Sequence, residues 1–427
     1  MQRPRIHAIH FLWALLLGIG CNWVLVLILK TSCIPSPSPS GVTPGDPGQP
    51  IPFTPNGEIR ITRDHQEIGT LPAEYIPLDY PDMPWRGDPG IGMTGDGSIY
   101  VSLYARVFLS RDGGKSWESR SIDVDSLDPP MRAKNYDSFG VLQDGTLLWA
   151  YRADDPPTDF LLRSTDGGKS WHSWSRLENL SPFIRAGGNQ NCLLELRDGT
   201  LLWPTIMAAQ HAYDHNEDAS KPPPTTYVFR STDGGKSWKE KHSLQQWGTE
   251  TNLLELHDGR LLAAIRYQRR YEAPPPQNEP PALIEDHAQR EIQKSTVGKR
   301  VFLADSADGG RSWQDFRPVW RQTDGPMDLE FGQAHGHMVQ LSDGTVVLVV
   351  EDRYPYPEGD VRARISRDGG RTWLPEVYHL SPGHGYGASV VLEDDTIVTA
   401  LGNTPLDERG RPVGGYTAQV VRWQLPN

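Results

Sequence analysis

One polar position recurs along the chain at a fixed distance from a repeated turn motif. An Asp-Gly or Asp-Asp turn follows it eight residues later in each repeat, and the position holds Asp88, Tyr136, Gln190, Glu250, His335 and Tyr386. Six such groups are hard to explain by packing, because a buried polar group costs free energy unless it finds a partner. For Gln190 and His335 a capped strand end or a solvated rim residue is the simpler interpretation. The pair Glu250 and Tyr386 instead favours a functional site.

The turn motif separates two apolar, β-rich runs, as in VLQDGTLLWA at 141–150 and VQLSDGTVVL at 339–348. An apolar strand, an Asp-Gly turn and a second apolar strand are typical of a β-hairpin. Weaker versions occur at 95–102 and 392–400. We therefore expect one inner hairpin in each repeat, with the polar position near the start of its first strand.

A second phrase with the pattern Ser-x-Asp-Gly-Gly-x-x-Trp occurs at 110–117, 164–171, 231–238, 306–313 and 366–373. Its aspartate can accept backbone N–H bonds inside a turn, and its glycines can adopt positive φ, so each copy predicts another hairpin. Two hairpins make a four-stranded blade, and six repeats predict an all-β, six-bladed β-propeller.

The sixth repeat lacks this second phrase, but residues 416–425 alternate like a strand. We expect residues 58–64 to supply the strand that completes the ring. The innermost strands of a propeller converge on the mouth of its central channel, so the recurring polar position should lie there.

The N-terminus has a different composition from the rest of the chain. Residues 1–33 contain an apolar run from Phe11 to Leu29, long enough to span a bilayer, and predict an uncleaved signal anchor or transmembrane segment. A cleaved export signal is the alternative. Residues 34–56 are rich in Pro, Ser and Gly and predict an extended linker, and residues 57–427 form the predicted propeller. Either interpretation places the propeller outside the cytoplasm, membrane-anchored or secreted.

The formal net charge is −12 and there is no basic run, which argues against nucleic acid as a partner. Three cysteines, one of them in the apolar N-terminal run, predict no disulfide framework. The histidines and carboxylates show no recognised ligand spacing, so we expect no metal and no cofactor.

These repeats resemble the Asp-boxes of the sialidase (neuraminidase) superfamily. The segment TETNLLELHDGRLLAAIR at 249–266 is similar to the family segment that carries the catalytic glutamate and an arginine of the carboxylate-binding triad, and Glu250 and Arg266 match those positions. The segment HGYGASVVLEDDTIVTAL at 384–401 is similar to the one with the nucleophilic tyrosine. Tyr386 matches the nucleophile, although Gly387 replaces the usual serine.

The resemblance extends less closely to the other site residues. It implies Arg86 and Arg353 as the remaining arginines of the triad, although Arg86 is one residue out of register and lacks the family motif. The family's acid/base aspartate has no counterpart, because the strand that should precede its loop runs directly into the first Asp-box. Asp88 is the substitute we favour. Blade two offers the further candidates Asp137, Asp154 and Asp155.

The resemblance implies an exo-sialidase-like glycoside hydrolase whose partner is a glycan. Sialic acid bears a carboxylate on its anomeric carbon, which guanidinium groups can bind as paired, charge-assisted forks. A neutral tyrosine can approach that carbon without meeting a like charge, and a neighbouring glutamate can take its proton. A non-catalytic glycan-binding or scaffolding propeller, and a glycosidase for another acidic or neutral sugar, remain alternatives.

Overall fold

The secondary structure of the described residues consists of β-strands, many of them joined by tight turns. The structure is a computed structural model of the 427-residue chain. It describes residues 57–64, 66–80, 83, 88–123, 127, 136–154, 157–177, 184–187, 193–209, 223–269, 276–278, 300–319, 333–352, 360–382, 385–403 and 417–426. These residues contain strands and no helix, which confirms the all-β prediction.

Four antiparallel sheets are each built from strands that follow one another along the chain, numbered here in chain order. The first contains β3 (Gly90–Met93), β4 (Ile99–Leu103), β5 (Arg106–Ser110) and β6 (Glu118–Ser121), and the second contains β7 (Tyr136–Val141), β8 (Leu147–Asp154), β9 (Pro157–Ser164) and β10 (His172–Arg176). The third contains β11 (Ile184–Gly187), β12 (Leu194–Glu195), β13 (Leu201–Ala209), β14 (Thr225–Ser231) and β15 (Glu240–Gln246). The fourth contains β16 (Gly248–Glu255), β17 (Leu261–Tyr267), β18 (Arg300–Ser306) and β19 (Gln314–Pro318).

A fifth sheet has nine strands and joins the two ends of the described chain. In spatial order its strands are β20 (Gln333–Gln340), β21 (Val346–Asp352), β22 (Asp360–Ser366), β23 (Val377–Pro382), β1 (Glu58–Arg63), β2 (Gln66–Leu78), β26 (Thr417–Trp423), β25 (Ile397–Asn403) and β24 (Gly385–Val391).

This arrangement corrects two details of the sequence prediction. The described strands form five sheets and not six separate units, because β1 pairs with both β23 and β2 and fuses the last two four-stranded arrays. The strand that pairs with the C-terminal strand is β2, whereas residues 58–64 had been expected to complete the ring. The C-terminal strand itself is confirmed as β26.

Apolar cores lie between successive sheets, which gives a propeller-like arrangement. One core combines Val107 and Leu109 of the first sheet with Phe139 and Trp149 of the second. Equivalent cores join the second sheet to the third, the third to the fourth, and the fourth to β20 and β21. Because a further core packs strands β24–β26 against the first sheet, the stack of sheets closes on itself.

Both predicted hairpin turns are present. In the first Asp-box, Asp112 Oδ1 accepts N–H bonds from Lys115 and Ser116 at 3.0 and 2.9 Å, and its Oδ2 accepts the Ser116 hydroxyl at 2.6 Å. The Ser116 hydroxyl bond and these backbone bonds lower the pKa of Asp112 to about 2 despite partial desolvation. Trp117 Nε1 donates to the Gly114 carbonyl at 3.0 Å. The aspartates of the other four boxes accept the equivalent backbone N–H bond, so each box aspartate is a structural turn residue.

Each Asp-box is also held by the preceding sheet in the ring through a glycine carbonyl. The donor and acceptor pairs are Arg120 and Gly167, Trp174 and Gly234, Arg230 and Gly309, Arg317 and Gly370, and Arg422 and Gly113. The last pair runs from the C-terminal strand to the first box, at 2.7 Å. We call these contacts the box clasps. They stabilise the ring by linking neighbouring sheets at its periphery.

The predicted N-terminal anchor and linker, residues 1–56, lie outside the described residues. In the part of the chain that the structure covers, no helix is long and apolar enough to cross a membrane. Membrane attachment therefore stays a prediction from the sequence.

Candidate active site

Where the structure describes the recurring polar position, it lies at or near the start of the first strand of an inner hairpin, and three of these strands are distorted there. An extra residue interrupts the register of β7 between Tyr136 and Phe139, of β16 between Gly248 and Thr251, and of β20 between Ala334 and His337. A β-bulge of this kind turns a side chain out of the regular alternation, and bulges are common beside active sites. In β16 and β20 the bulge re-aims Glu250 and His335.

Glu250, Tyr386 and Arg266 meet in one buried cluster. The Tyr386 hydroxyl donates to Glu250 Oε1 at 2.8 Å, and Arg266 Nη1 donates to the same oxygen at 2.5 Å. Glu250, Tyr386 and Arg266 are 2 %, 4 % and 7 % exposed, respectively, as whole residues. Glu250 and Tyr386 are 136 positions apart in the sequence, so their contact results from the fold.

The Glu250 carboxylate is compensated by charge as well as by hydrogen bonds. An isolated buried carboxylate would be strongly destabilising, whereas a guanidinium in contact offsets much of the desolvation cost. The bulge beside it is held by neighbouring threonines, because the Thr249 carbonyl accepts the hydroxyls of Thr226 at 3.1 Å and Thr251 at 2.9 Å. The carboxylate therefore sits on a rigid element.

His335 packs directly on the candidate nucleophile. Its imidazole lies parallel to the phenol ring of Tyr386, with the centroids 4.6 Å apart and the planes 4° from parallel. His335 is buried, so the interpretation as a solvated rim residue is wrong. The bulge in β20 explains the error, because it carries this side chain inward.

His337, on the same strand, links β20 to β24. Its Nδ1 accepts the backbone N–H of Ser389 at 3.2 Å. Burial, reinforced by the proximity of His335, lowers the pKa of His337 to about 3. The imidazole of His337 is therefore neutral at physiological pH and acts as a hydrogen-bond acceptor for the backbone of β24.

Gly387 follows the candidate nucleophile at the point where the resemblance predicted a serine. A Cβ at this position would lie 2.7 Å from Val349 Cγ1 and 3.1 Å from both Leu401 Cδ2 and Val361 Cγ1. The glycine therefore permits β24 to approach β21 and β22 closely. Its occurrence reflects packing, and the departure from the family pattern leaves the position of Tyr386 intact.

Asp88 is the only one of the predicted proton donors whose side chain is among those that the structure describes. It is half-buried and lies two residues before β3. Strand β3 packs beside β24, so Asp88 is at the same end of the neighbouring inner strand as Tyr386. The other predicted site groups have no described side chain, so their roles stay predictions: Arg86, Arg353, Gln190, Tyr136, Asp137, Asp154 and Asp155.

Sequence reasoning missed several buried charged residues at this end of the sheets. Glu351 and Asp352 end β21 and are fully buried, and Arg269 is buried two residues beyond β17. Asp352 Oδ2 accepts a bond from Arg362 Nη1 at 3.0 Å. The sequence did contain a signal for Glu351 and Asp352, because these two acidic residues directly follow the apolar run in VVLVVED. Among the described residues, no group of three metal-binding side chains occurs.

Comparison with known proteins agrees with this architecture. The BNR/Asp-box repeat family model matches residues 229–240, which cover the third box. No significant match was found among curated proteins.

Solved structures with the same fold include a protein of unknown function from Dyadobacter fermentans, with TM-score 0.57, 18 % identity and coverage of 85 % of this chain and 99 % of that one. A Trypanosoma rangeli sialidase in complex with the inhibitor DANA matches with TM-score 0.52 and 15 % identity, over 78 % of this chain and 54 % of the sialidase. An α-L-arabinofuranosidase variant from Fusarium graminearum with an iminosugar inhibitor gives TM-score 0.54 and 13 % identity, over 86 % and 98 % of the two chains. At these identities the likeness concerns the fold.

Proposed function

We propose that the protein is an exo-acting glycoside hydrolase with a tyrosine nucleophile. The Asp-box (BNR) repeats and the propeller-like fold, which is also found in sialidases and arabinofuranosidases, support this proposal. The observation that carries the proposal is the buried contact of Tyr386 and Arg266 with one oxygen of Glu250. Packing alone does not require a phenol and a guanidinium that both contact one buried carboxylate. They are the groups that a displacement at an anionic sugar requires.

In the proposed reaction Glu250 Oε1 accepts the phenolic proton of Tyr386 while Oη bonds to the anomeric carbon. The glycosidic C–O bond breaks as an acid protonates the leaving oxygen. In the second step the deprotonated acid takes a proton from water, the water oxygen bonds to the anomeric carbon as the bond to Tyr386 Oη breaks, and Glu250 returns its proton to Oη. The 2.8 Å hydrogen bond is within the range needed for this transfer.

Asp88 is our proposed proton donor to the leaving oxygen. Its support is its place beside β24, at the same end of the inner strands as Tyr386. A protein that binds glycans without cleaving them would share the arginines and lack a working acid. Turnover of a glycoside with a poor leaving group, which needs a working acid, therefore distinguishes the two functions.

Sialic acid, or a related acidic sugar, is the proposed substrate. Arg266 lies at the cluster and its several N–H donors can serve a substrate carboxylate in addition to Glu250. We propose Arg86 and Arg353 as the two further arginines of a carboxylate-binding triad. A neutral arabinofuranoside is the second candidate, because the fold matches 98 % of the arabinofuranosidase chain and 54 % of the sialidase chain.

The six-bladed interpretation also belongs to the proposal. We regard the nine-stranded sheet as two blades, β20–β23 and β24–β26 with β2, that β1 joins at their outer edges. The packing of β24 against β3 supports a closed ring of six inner strands. We propose in addition that residues 1–33 anchor the protein in a membrane through the linker at 34–56, with the propeller outside the cytoplasm.

The test is hydrolysis of a fluorogenic α-sialoside and a fluorogenic α-L-arabinofuranoside by the full chain and by Glu250→Gln and Tyr386→Phe. We expect Glu250→Gln to lose about 10²- to 10⁴-fold in kcat, the usual contribution of a general base, and Tyr386→Phe to lose at least as much. The exposed Glu240→Gln and the remote Tyr227→Phe serve as matched controls and should retain activity. Turnover that survives in both site variants would refute the mechanism, and binding without turnover would indicate the glycan-binding alternative.

A further inference from the structure

His335 adopts a backbone conformation that most residues avoid. It has φ of 50° at the bulge of β20, in the left-handed region that non-glycine residues rarely occupy. The adjacent residue, Gly336, would tolerate a positive φ more readily, yet it is His335 that adopts this conformation. Local strain of this kind persists when the surrounding structure holds it, and it is common at functional sites.

The result of this conformation is the parallel contact with Tyr386. The imidazole and phenol rings stack with their planes 4° apart, on the strand next to the one that carries the phenol. Since the imidazole covers one face of the phenol, rotation of the phenol about χ2 would drive its edge into His335. Oη lies on the χ2 axis, so this restraint fixes the plane of the ring and, with it, the direction of the O–H bond towards Glu250 Oε1, because that bond lies in the ring plane. The imidazole also blocks any tilt of the phenol towards it, which would move Oη away from Glu250.

We infer that His335 is a positioning residue, which holds the ring of Tyr386 in the orientation for proton transfer to Glu250 and for attack on the sugar. The inference rests on the proposed function for its catalytic consequence, but the restraint on the ring is a property of the protein itself. Nothing in the proposed reaction requires His335 to touch the substrate.

Two substitutions distinguish the effect of the His335 ring from the effect of the backbone conformation at this position. Asn tolerates the left-handed region, so His335→Asn removes the stacked ring without adding backbone strain. His335→Phe keeps a flat ring over the phenol. His257→Asn, at an exposed histidine, is the matched control.

The first measurement does not depend on activity. The full chain is labelled with 3-fluorotyrosine, and the fluorine signal absent from Tyr386→Phe is assigned to Tyr386. A ring that flips slowly gives two signals for its two orientations. We expect two signals in the parent and in His335→Phe, and one averaged signal in His335→Asn. Two unchanged signals in a folded His335→Asn variant would overturn the inference.

The second measurement is steady-state kinetics on whichever glycoside the parent hydrolyses. Because misplacement of a reacting atom by ~1 Å can cost ~10²-fold, we expect His335→Asn to lose about 10- to 100-fold in kcat with KM nearly unchanged, and His335→Phe to recover part of the loss. An equal kcat in parent and His335→Asn would overturn the positioning role. If the parent hydrolyses no glycoside, the proposed function fails, while the fluorine signals still decide whether His335 restrains the ring.

Discussion

Because His337 is buried and neutral, we can predict how much the free energy of unfolding falls at acid pH. Burial lowers its pKa to about 3 in the folded protein, against about 6.5 in an unfolded chain. Between these two pKa values the unfolded chain binds more protons at His337 than the folded protein does. The contribution of His337 to the free energy of unfolding therefore rises with pH. It is fully present above about pH 6.5 and is lost as the pH falls towards 3.

The two pKa values set the size of the effect. By linkage, the contribution of His337 at pH 5 should be lower than at neutral pH by about 2 kcal/mol, and at pH 4 by about 3 kcal/mol. His337→Gln removes the titration but keeps an oxygen that can accept the Ser389 N–H.

The assay is urea unfolding of the full chain at several pH values between 8 and 4. Other groups also contribute to the pH dependence, including His379, whose pKa is lowered by burial, so the informative quantity is the difference between parent and variant. The parent should lose about 2 kcal/mol more than His337→Gln between pH 8 and pH 5. His257→Gln, at an exposed site, should follow the parent. Parallel curves for the parent and His337→Gln would refute a buried neutral His337.

Further predictions concern packing, the ring and the reaction. Gly387→Ser should lower the free energy of unfolding by about 1–3 kcal/mol, because its Cβ would overlap neighbouring side chains, and unchanged urea stability would contradict this packing argument. Arg422→Met should cost about 1–3 kcal/mol by leaving the Gly113 carbonyl without its box clasp, and an unaltered thermal midpoint would show that the clasp contributes nothing. Arg266→Lys should reduce kcat/KM about 10- to 100-fold, since an ammonium cannot reproduce the planar fork; full activity would exclude Arg266 from substrate binding. Asp88→Asn should slow a substrate with a poor leaving group and spare an aryl glycoside with a good one, whereas equal losses on both would remove Asp88 as the acid.

Much of the architecture follows from local sequence patterns. The Asp-Gly turns and the Asp-boxes specify their hairpins because the chemistry of these turns lies within a few residues, as the bonds within the box of Asp112 illustrate. The placement of Glu250 and Tyr386 in one ring of inner strands was also predictable, through their equivalent places in the repeat. Both results depend on periodicity and turn chemistry, which a single sequence displays directly.

Features that depend on contacts between distant segments were not predictable. The sequence carries no local signal for β1 joining the last two arrays, since that pairing brings residues about 300 positions apart into register. The bulges that bring Glu250 and His335 inward are set by the fit of one strand against its neighbour. The sequence showed no sign of them, so His335 had been interpreted as a capped strand end or a solvated rim residue. The sequence by itself therefore determined the repeat, its turns and the candidate residues. Tertiary packing decided which of those residues meet, because only the closed stack of sheets fixes the distances between their inner strands.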